Sequence, residues 1–357
     1  MSRINLKVLI NATPWYEVPP KTYGGIESFC GNLARGLSLL GCEVTTVSPG
    51  QLNLENLKPS LRHRRSLDAP ATKQFGEIEP ELEHLLALRE AIKDHDYDVI
   101  HDNTIFGSNI GLAAGIPTIL TIHRIIQGDY RRIYERLAND LSLVAISRRQ
   151  RELAPNIHVS RIIHHGIDTD YYLPTSTPTR DYLLFLGSMN YHKGAHHAIE
   201  VAKKLKFKLV IAAKCEQQHE IDYFTKYIHP KLSKDIVFLG EVGGAQKVSL
   251  LQNAFALIFP ALWEESFGLV MTEALACDTP VVGYKIGAAP EIIRHGSTGF
   301  LAHDLDSLTQ AVTRVPALPK HLCRQSAIQE FDYRLMAKKY LDLCHDIIYC
   351  QKSEDTA

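Results

Sequence analysis

Short, almost continuously apolar runs alternate with helical patterns along the whole chain, and this alternation narrows the fold more than any other feature. Leu6–Ala12 (LKVLINA) reads as a strand, and Ile26–Gly41 (IESFCGNLARGLSLLG) as an amphipathic helix closed by a glycine cap. EVTTVSP is the next strand. The polar, Pro-containing stretch over 50–80 reads as a long loop, with a helix following over roughly Glu79–Asp94. DVIHD (Asp98–Asp102), PTILTIH and LSLVAIS are further strands. Apolar strands separated by helices are the pattern of a parallel sheet covered on both faces.

The alternation breaks at GIDTDYYLPTSTPTRD (Gly166–Asp181), rich in Pro, Thr and Ser, and then restarts. The second series has strands YLLFLG, FKLVIAA, IVFLG, ALIFP and PVVGY. Its helices begin at Lys193 and cover Gln217–Ile228, Ala245–Asn253 and Gly268–Cys277. The expectation is therefore two doubly wound α/β domains in tandem, 1–174 and 175–330. A C-terminal helix over 331–357 is free to pack on either domain, the N-terminal one included. Such sheets bind ligands at the carboxyl ends of their strands, so two of them facing each other predict a deep interdomain cleft. The strand-end loops YGGIE, TIHR, LGSMNYHKG, AAKCE, LGEVGG and WEESFG are where its residues are expected.

Charge excludes one class of partner. Up to Pro174 there are 19 Lys and Arg against 20 Asp and Glu, and beyond it 20 against 20. Neither half has the basic excess of a nucleic-acid binder. The clusters LRHRR (Leu61–Arg65) and RRQR (Arg148–Arg151) read as solvated faces, leaving at most peripheral membrane contact. No run approaches the roughly 18 apolar residues of a membrane span. The N-terminus enters a strand without a visible signal peptide. Seven cysteines, an odd number without CxxC pairs, point to reduced thiols and a cytoplasmic setting.

The most informative stretch is WEESFGLVMTEALACDTPVVGY, Trp263–Tyr284. Ser266 and Gly268 stand at a helix start, where free backbone N–H groups favour an anion such as a diphosphate. Glu265 precedes the helix and can reach a sugar. Glu273, a turn and a half inside, can accept the hydroxyls of a ribose on the other side of the same diphosphate. An equally simple reading makes Glu265 a capping acid and Glu273 a solvent-facing residue. GSMNYHKG (Gly187–Gly194) offers close backbone approach and the charge of Lys193. TYGGIE (Thr22–Glu27) places two glycines before the first helix. Neither is a P-loop or a dinucleotide fingerprint. The loop after the first strand, NATPWYEVPPKTYGG, lacks the G-x-G-x-x-G a dehydrogenase needs. DTD (Asp168–Asp170) matches a metal-binding acidic pair but lies in the linker.

The order YGGIE, TIH, VAIS, GID, LFLG…KG, FLGEV, E-x7-E, EALACDTPVV and AAPEII…GSTGFL resembles the family 4 (group 1) retaining glycosyltransferases of the GT-B fold, from about Lys7 to Leu301. The resemblance implies two Rossmann-like domains across a deep cleft, and transfer of a sugar from a nucleotide-diphosphate sugar, UDP sugars by default. The acceptor, a glycan, lipid or small molecule, is left open. It implies no cofactor beyond that co-substrate and no catalytic metal. By resemblance Lys193 binds the diphosphate, Glu273 the ribose and Glu265 the sugar hydroxyls beside the reacting centre. The backbone N–H groups of Phe267, Gly268 and Leu269 hold sugar and phosphate, with Ser266 beside them in the donor-binding set. Glu241 and Val242 flank the base, His123 contacts the transferred sugar, and Gly24 and Gly25 lie against the phosphates; Gly187 and Ser188 complete the donor-binding set.

Three positions depart from the family pattern. Ser188 stands where the family has Arg, so a cation for the leaving diphosphate is missing; Lys214, or more weakly His192, is the expected substitute. His165 replaces Asn before GID. Asp278 replaces Gly at a helix end, where Asp tolerates a left-handed conformation. The other readings are a sugar-nucleotide epimerase of the same fold and a catalytically weak nucleotide-sugar-binding protein.

Overall fold

The computed structural model describes residues 5–52, 60–72, 76–319 and 321–354. Two all-parallel sheets carry the chain. The first is formed by β1 (Lys7–Asn11), β2 (Glu43–Ser48), β3 (Leu61–Arg65), β4 (Val99–Asp102), β5 (Thr118–Ile122), β6 (Ser142–Ala145) and β7 (Arg161–Ile162), in the order β3-β2-β1-β4-β5-β6-β7. The second holds β8 (Tyr182–Ser188), β9 (Lys208–Lys214), β10 (Ile236–Gly240), β11 (Ala256–Phe259), β12 (Val281–Tyr284) and β13 (Gly299–Ala302), in the order β10-β9-β8-β11-β12-β13. In each sheet the strand order reverses at the opening strand, β1 or β8. Loops leaving the carboxyl ends there diverge and open a crevice, the usual ligand position of such sheets.

Contacts divide the chain into two compact units. One comprises Met1–Pro20, Gly24–Gly166 and Tyr333–Ala357, the other Lys21–Tyr23 and Ile167–Asp332. The composition of the linker places a boundary at Pro174, whereas the contacts divide the chain after Gly166. The reason is Arg324, whose guanidinium donates to the carbonyls of Thr169 (3.2 Å), Tyr172 (3.0 Å) and Ala276 (2.9 Å). By holding Thr169 and Tyr172 on one side and Ala276 on the other, Arg324 ties the segment after Gly166 to the second unit. DTD is part of that segment, and Asp168 spends its carboxylate on the backbone N–H groups of Asp170 and Tyr171.

The C-terminal helix Tyr333–Glu354 belongs to the first unit and lies along the helix Gly25–Leu39. Its Tyr340 is buried, with its hydroxyl 2.8 Å from that of Thr121 on β5. The basic run Leu61–Arg65, read as a solvated face within a loop, is the edge strand β3, paired with β2 from Val44–Leu61 to Ser48–Arg65. An edge strand needs no continuous apolar run, and charges there discourage further pairing. Its Arg64 is ion-paired with Glu90 and Asp94. Among the described residues no helix is long and apolar enough to cross a membrane.

Candidate functional site

Twelve of the sequence-predicted site residues lie in the second unit, most of them at the carboxyl edge of its sheet. Gly187 and Ser188 end β8, in register with Ala213 and Lys214 at the end of β9. Glu241 and Val242 follow β10. Glu265, Ser266, Phe267 and Gly268 precede the helix Leu269–Ala276, which carries Glu273. Gly24, Gly25 and His123 belong to the first unit.

The loop after β8 is held by close backbone contact. Gly194 has φ +77, and a Cβ there would come within 2.0 Å of the Pro260 carbonyl oxygen. Leu262 N–H donates to the His192 carbonyl at 2.8 Å. Asn190 caps the short turn Tyr191–Lys193 by accepting from His192 N–H at 3.0 Å. The loop after β8 is thereby pressed onto the loop after β11, and Lys193 forms an ion pair with Glu265. Burial pulls against the Lys193 ammonium and is the largest single influence; the charges of Glu265 and Tyr23 outweigh it and hold the group above the ordinary lysine range. Trp263 Nε1–H donates to the same Glu265 oxygen at 3.0 Å.

The backbone of Glu265 is fixed from a third loop. Ala288 N–H donates to its carbonyl at 2.9 Å, and Gly287 N–H to the neighbouring Glu264 carboxylate at 3.1 Å. Gly287 has φ +58, and a Cβ would fall 2.4 Å from Glu265 N and 2.6 Å from its O. Only glycine fits so close to this segment.

Glu273 faces inward. It is 4% exposed and accepts from Tyr172 Oη at 2.9 Å and Lys247 Nζ at 2.7 Å. Sequence reasoning assigned no role to Lys247 or Tyr172. One is an unremarkable lysine of a short helix, the other lies in the segment read as linker. Their meeting is a product of tertiary folding that no local pattern announces.

Lys214, the expected substitute cation, is 4% exposed and engaged with Glu220 at 2.9 Å. Its ammonium also stands 5.7 Å from the centre of the Tyr23 ring. Tyr23 N–H donates to Glu241 at 2.8 Å, so the carboxylate expected beside the base holds the segment Lys21–Tyr23. Ser188 is half-buried at the end of β8. Asp278 adopts the left-handed conformation, φ 59.

In the first unit, His123 Nε2 lies 2.8 Å from Asn103 Oδ1, and His123 Nδ1 lies 3.3 Å from His165 Nε2. Asn103 donates its amide to the Asn11 carbonyl, which leaves Oδ1 to accept from His123. His123 Nε2 therefore carries the proton, and Nδ1 accepts from His165. Burial depresses His123 to about 3, with the Arg124 charge adding to it. The ring is neutral near pH 7, suited to hydrogen bonding rather than proton transfer. His165 is thus the donor to His123.

A family model described as "Glycosyl transferases group 1" matches residues 174–326, and one described as "Glycosyltransferase Family 4" matches residues 23–171. An uncharacterized glycosyltransferase of Methanocaldococcus jannaschii is 27% identical over 346 residues, spanning 84% of this chain and 87% of its own. The crystal structure of AviGT4, a glycosyltransferase involved in avilamycin A biosynthesis, has a TM-score of 0.75 at 24% identity, covering 96% of this chain and 98% of that one. The structure of Anabaena HepE in complex with UDP-glucose has the same TM-score at 18% identity, covering 96% and 100%.

Proposed function

The chain belongs to the group 1, family 4 glycosyltransferases of the GT-B fold, and from that premise we propose that it moves a sugar, with retention of anomeric configuration, from a nucleotide-diphosphate sugar to an acceptor hydroxyl. The observation that carries this reading is the placing of two carboxylates about one helix start. Glu265 stands before the helix Leu269–Ala276 paired with Lys193, and Glu273 stands inside it, accepting from both Tyr172 and Lys247. A diphosphate at the N-terminus meets backbone N–H groups and the positive end of the helix dipole. Glu273 then serves the ribose and Glu265 the sugar. UDP sugars are the first donors to test, because a neighbour of the same fold was crystallised with UDP-glucose.

The reaction this reading assigns breaks the bond between the sugar's anomeric carbon and the diphosphate oxygen. The acceptor oxygen bonds to that carbon on the same face, and its proton passes to the departing phosphate. Negative charge grows on the diphosphate as the bond breaks, so a cation fixed beside it acts mainly on the transition state. Lys193 takes that role, leaving Glu265 for the diphosphate. Lys193, not a metal ion, then neutralises the leaving group, and transfer survives EDTA. The neutral His123 meets a sugar hydroxyl by exchanging its bond to Asn103 or to His165 for it.

A second reading, a nucleotide-sugar-binding protein with weak turnover, draws on Ser188 and on the engagement of Lys214 with Glu220. Together they leave Lys193 the main cation for the leaving group. One experiment separates the readings. Nucleotides and nucleotide sugars are screened for a rise in melting temperature, which grows with ligand concentration over Kd. The donor so found is then followed for release of free nucleoside diphosphate and sugar transfer. Release and transfer that vanish in Lys193→Ala support the transferase. Tight binding without turnover over a broad acceptor panel supports the second reading, and an isomerised nucleotide sugar contradicts both.

A further inference from the structure

Glu265 holds two donors on one oxygen. The Lys193 ammonium and the Trp263 indole N–H both reach Oε2, the latter at 3.0 Å. Trp263 is 41% exposed, yet its ring is fixed from several directions. It stacks on His192 with centroids 5.7 Å apart and planes 13° from parallel, and the Lys193 ammonium lies 5.6 Å from its centre. The neighbouring backbone is tied by the Leu262–His192 bond. Stacking on His192 and the hydrogen bond to Oε2 together set the orientation of the indole, which points its N–H at the carboxylate.

We propose that Trp263 is the positioning residue of Glu265 in the donor-bound state; the inference rests on the assignment of Lys193 to the diphosphate. The two donors differ in what a diphosphate does to them. It carries about two negative charges or more and draws the ammonium away from a single carboxylate. It has far less pull on a neutral indole N–H already engaged. When Lys193 turns to the phosphates, Glu265 keeps one fixed hydrogen bond through Oε2, and Oε1 stays available for sugar hydroxyls. Without that bond the carboxylate rotates among its side-chain rotamers, and the geometry needed at the reacting centre is lost. The ring also changes surroundings as the ammonium leaves it, so Trp263 senses donor occupancy.

The chain has two tryptophans, so Trp15→Phe leaves Trp263 as the only indole. The probes are UDP and UDP-glucose, or the guanosine pair if uridine nucleotides do not bind. Binding is measured independently by calorimetry. Emission of the Trp15→Phe protein is expected to change on addition of nucleotide, saturating at the calorimetric Kd. Trp263→Phe keeps an aromatic ring beside His192 and removes the N–H together with part of the indole's area. It should leave the nucleoside diphosphate Kd and the melting temperature unchanged, and lower kcat for nucleotide-sugar turnover ten- to a hundredfold, the loss of one charge-assisted hydrogen bond. Nucleotide binding with a silent Trp263, or with full kcat in Trp263→Phe, overturns this inference and leaves the donor reading intact. Absence of calorimetric binding by the parent protein overturns the donor reading, and this inference with it.

Discussion

The ammonium of Lys214 lies 2.9 Å from Oε2 of Glu220, and each side chain is only 5% exposed. The same oxygen accepts the N–H groups of Glu216 and Gln217 at 3.0 and 3.1 Å. The pair therefore joins the end of β9 to the start of the helix Gln218–Tyr223. Burial alone would raise the Glu220 carboxyl, and it is the largest influence. The two N–H donors and Lys214 together overcome it and hold the group below the usual glutamate range.

Removing Lys214 leaves a buried carboxylate with no cation. Lys214→Ala is expected to destabilise the protein by about 3–5 kcal/mol, the range for breaking one side of a buried ion pair. Lys214→Met combined with Glu220→Gln should recover part of the loss. Urea unfolding of the three proteins measures this. If Lys214→Ala keeps full stability and loses only turnover, Lys214 acts on the donor instead. The depressed Glu220 pKa has its own signature: the stability it brings is present above the unfolded-state glutamate pKa and is lost as pH falls through the folded one.

Glu27 follows the opposite rule. It is 3% exposed, bonded by the Thr13 hydroxyl, and burial raises it from 4.5 to about 7, against the smaller effects of Thr13 and its own backbone N–H. The folded state then holds a proton that the unfolded state has lost, so stability falls as pH rises from about 4.5 to 7. Glu27→Gln should match the parent at pH 4 and exceed it by roughly 2–4 kcal/mol at pH 8. Thermal or denaturant melts at both pH values decide it; an equal difference at both would show that burial does not govern Glu27.

Gly287 tests the scaffold beneath Glu265. Its missing Cβ would meet backbone atoms, which cannot rotate aside, so Gly287→Ala must shift the segment that aims Glu265. Turnover is expected to fall by more than tenfold, as small misplacements near a reacting centre do. Gly296→Ala is the control. Its φ is +77 with nothing within 4 Å of the added methyl, so backbone strain of about 1 kcal/mol is all it should cost, with turnover intact. Equal turnover losses in the two variants would remove the steric explanation.

The alternation of apolar strands and helices made the two sheets legible from the sequence, because a strand covered on both faces has to be apolar throughout. β3 escaped notice for the converse reason: an edge strand with one covered face carries Arg62, Arg64 and Arg65 without penalty. The two-residue β7 is too short to show a period. Around the site, the spacing of Glu265 and Glu273 about a helix start was readable, because a helix fixes the distance between its own residues. The partners that orient them were not. Lys247, Tyr172, Trp263 and Gly287 come from four different segments and meet only when the sheet places its loops side by side. Lys214 looked like a spare cation at a strand end. Its commitment to Glu220 was partly written in the capping box Gln217-x-x-Glu220, which marks where that glutamate sits but not what it holds.

The central claim is that Glu273 and Glu265 address different parts of one donor, ribose and sugar, on either side of its diphosphate. Calorimetry with nucleoside diphosphate and with nucleotide sugar, on Glu273→Ala and Glu265→Ala, tests it directly. The ribose belongs to both ligands, so Glu273→Ala should weaken both alike, by about ten- to a hundredfold for one lost charge-assisted hydrogen bond. Glu265→Ala should leave the nucleoside diphosphate Kd within about threefold of the parent, and sugar transfer should be lost. Equal losses of nucleoside diphosphate affinity in the two variants would contradict the assignment.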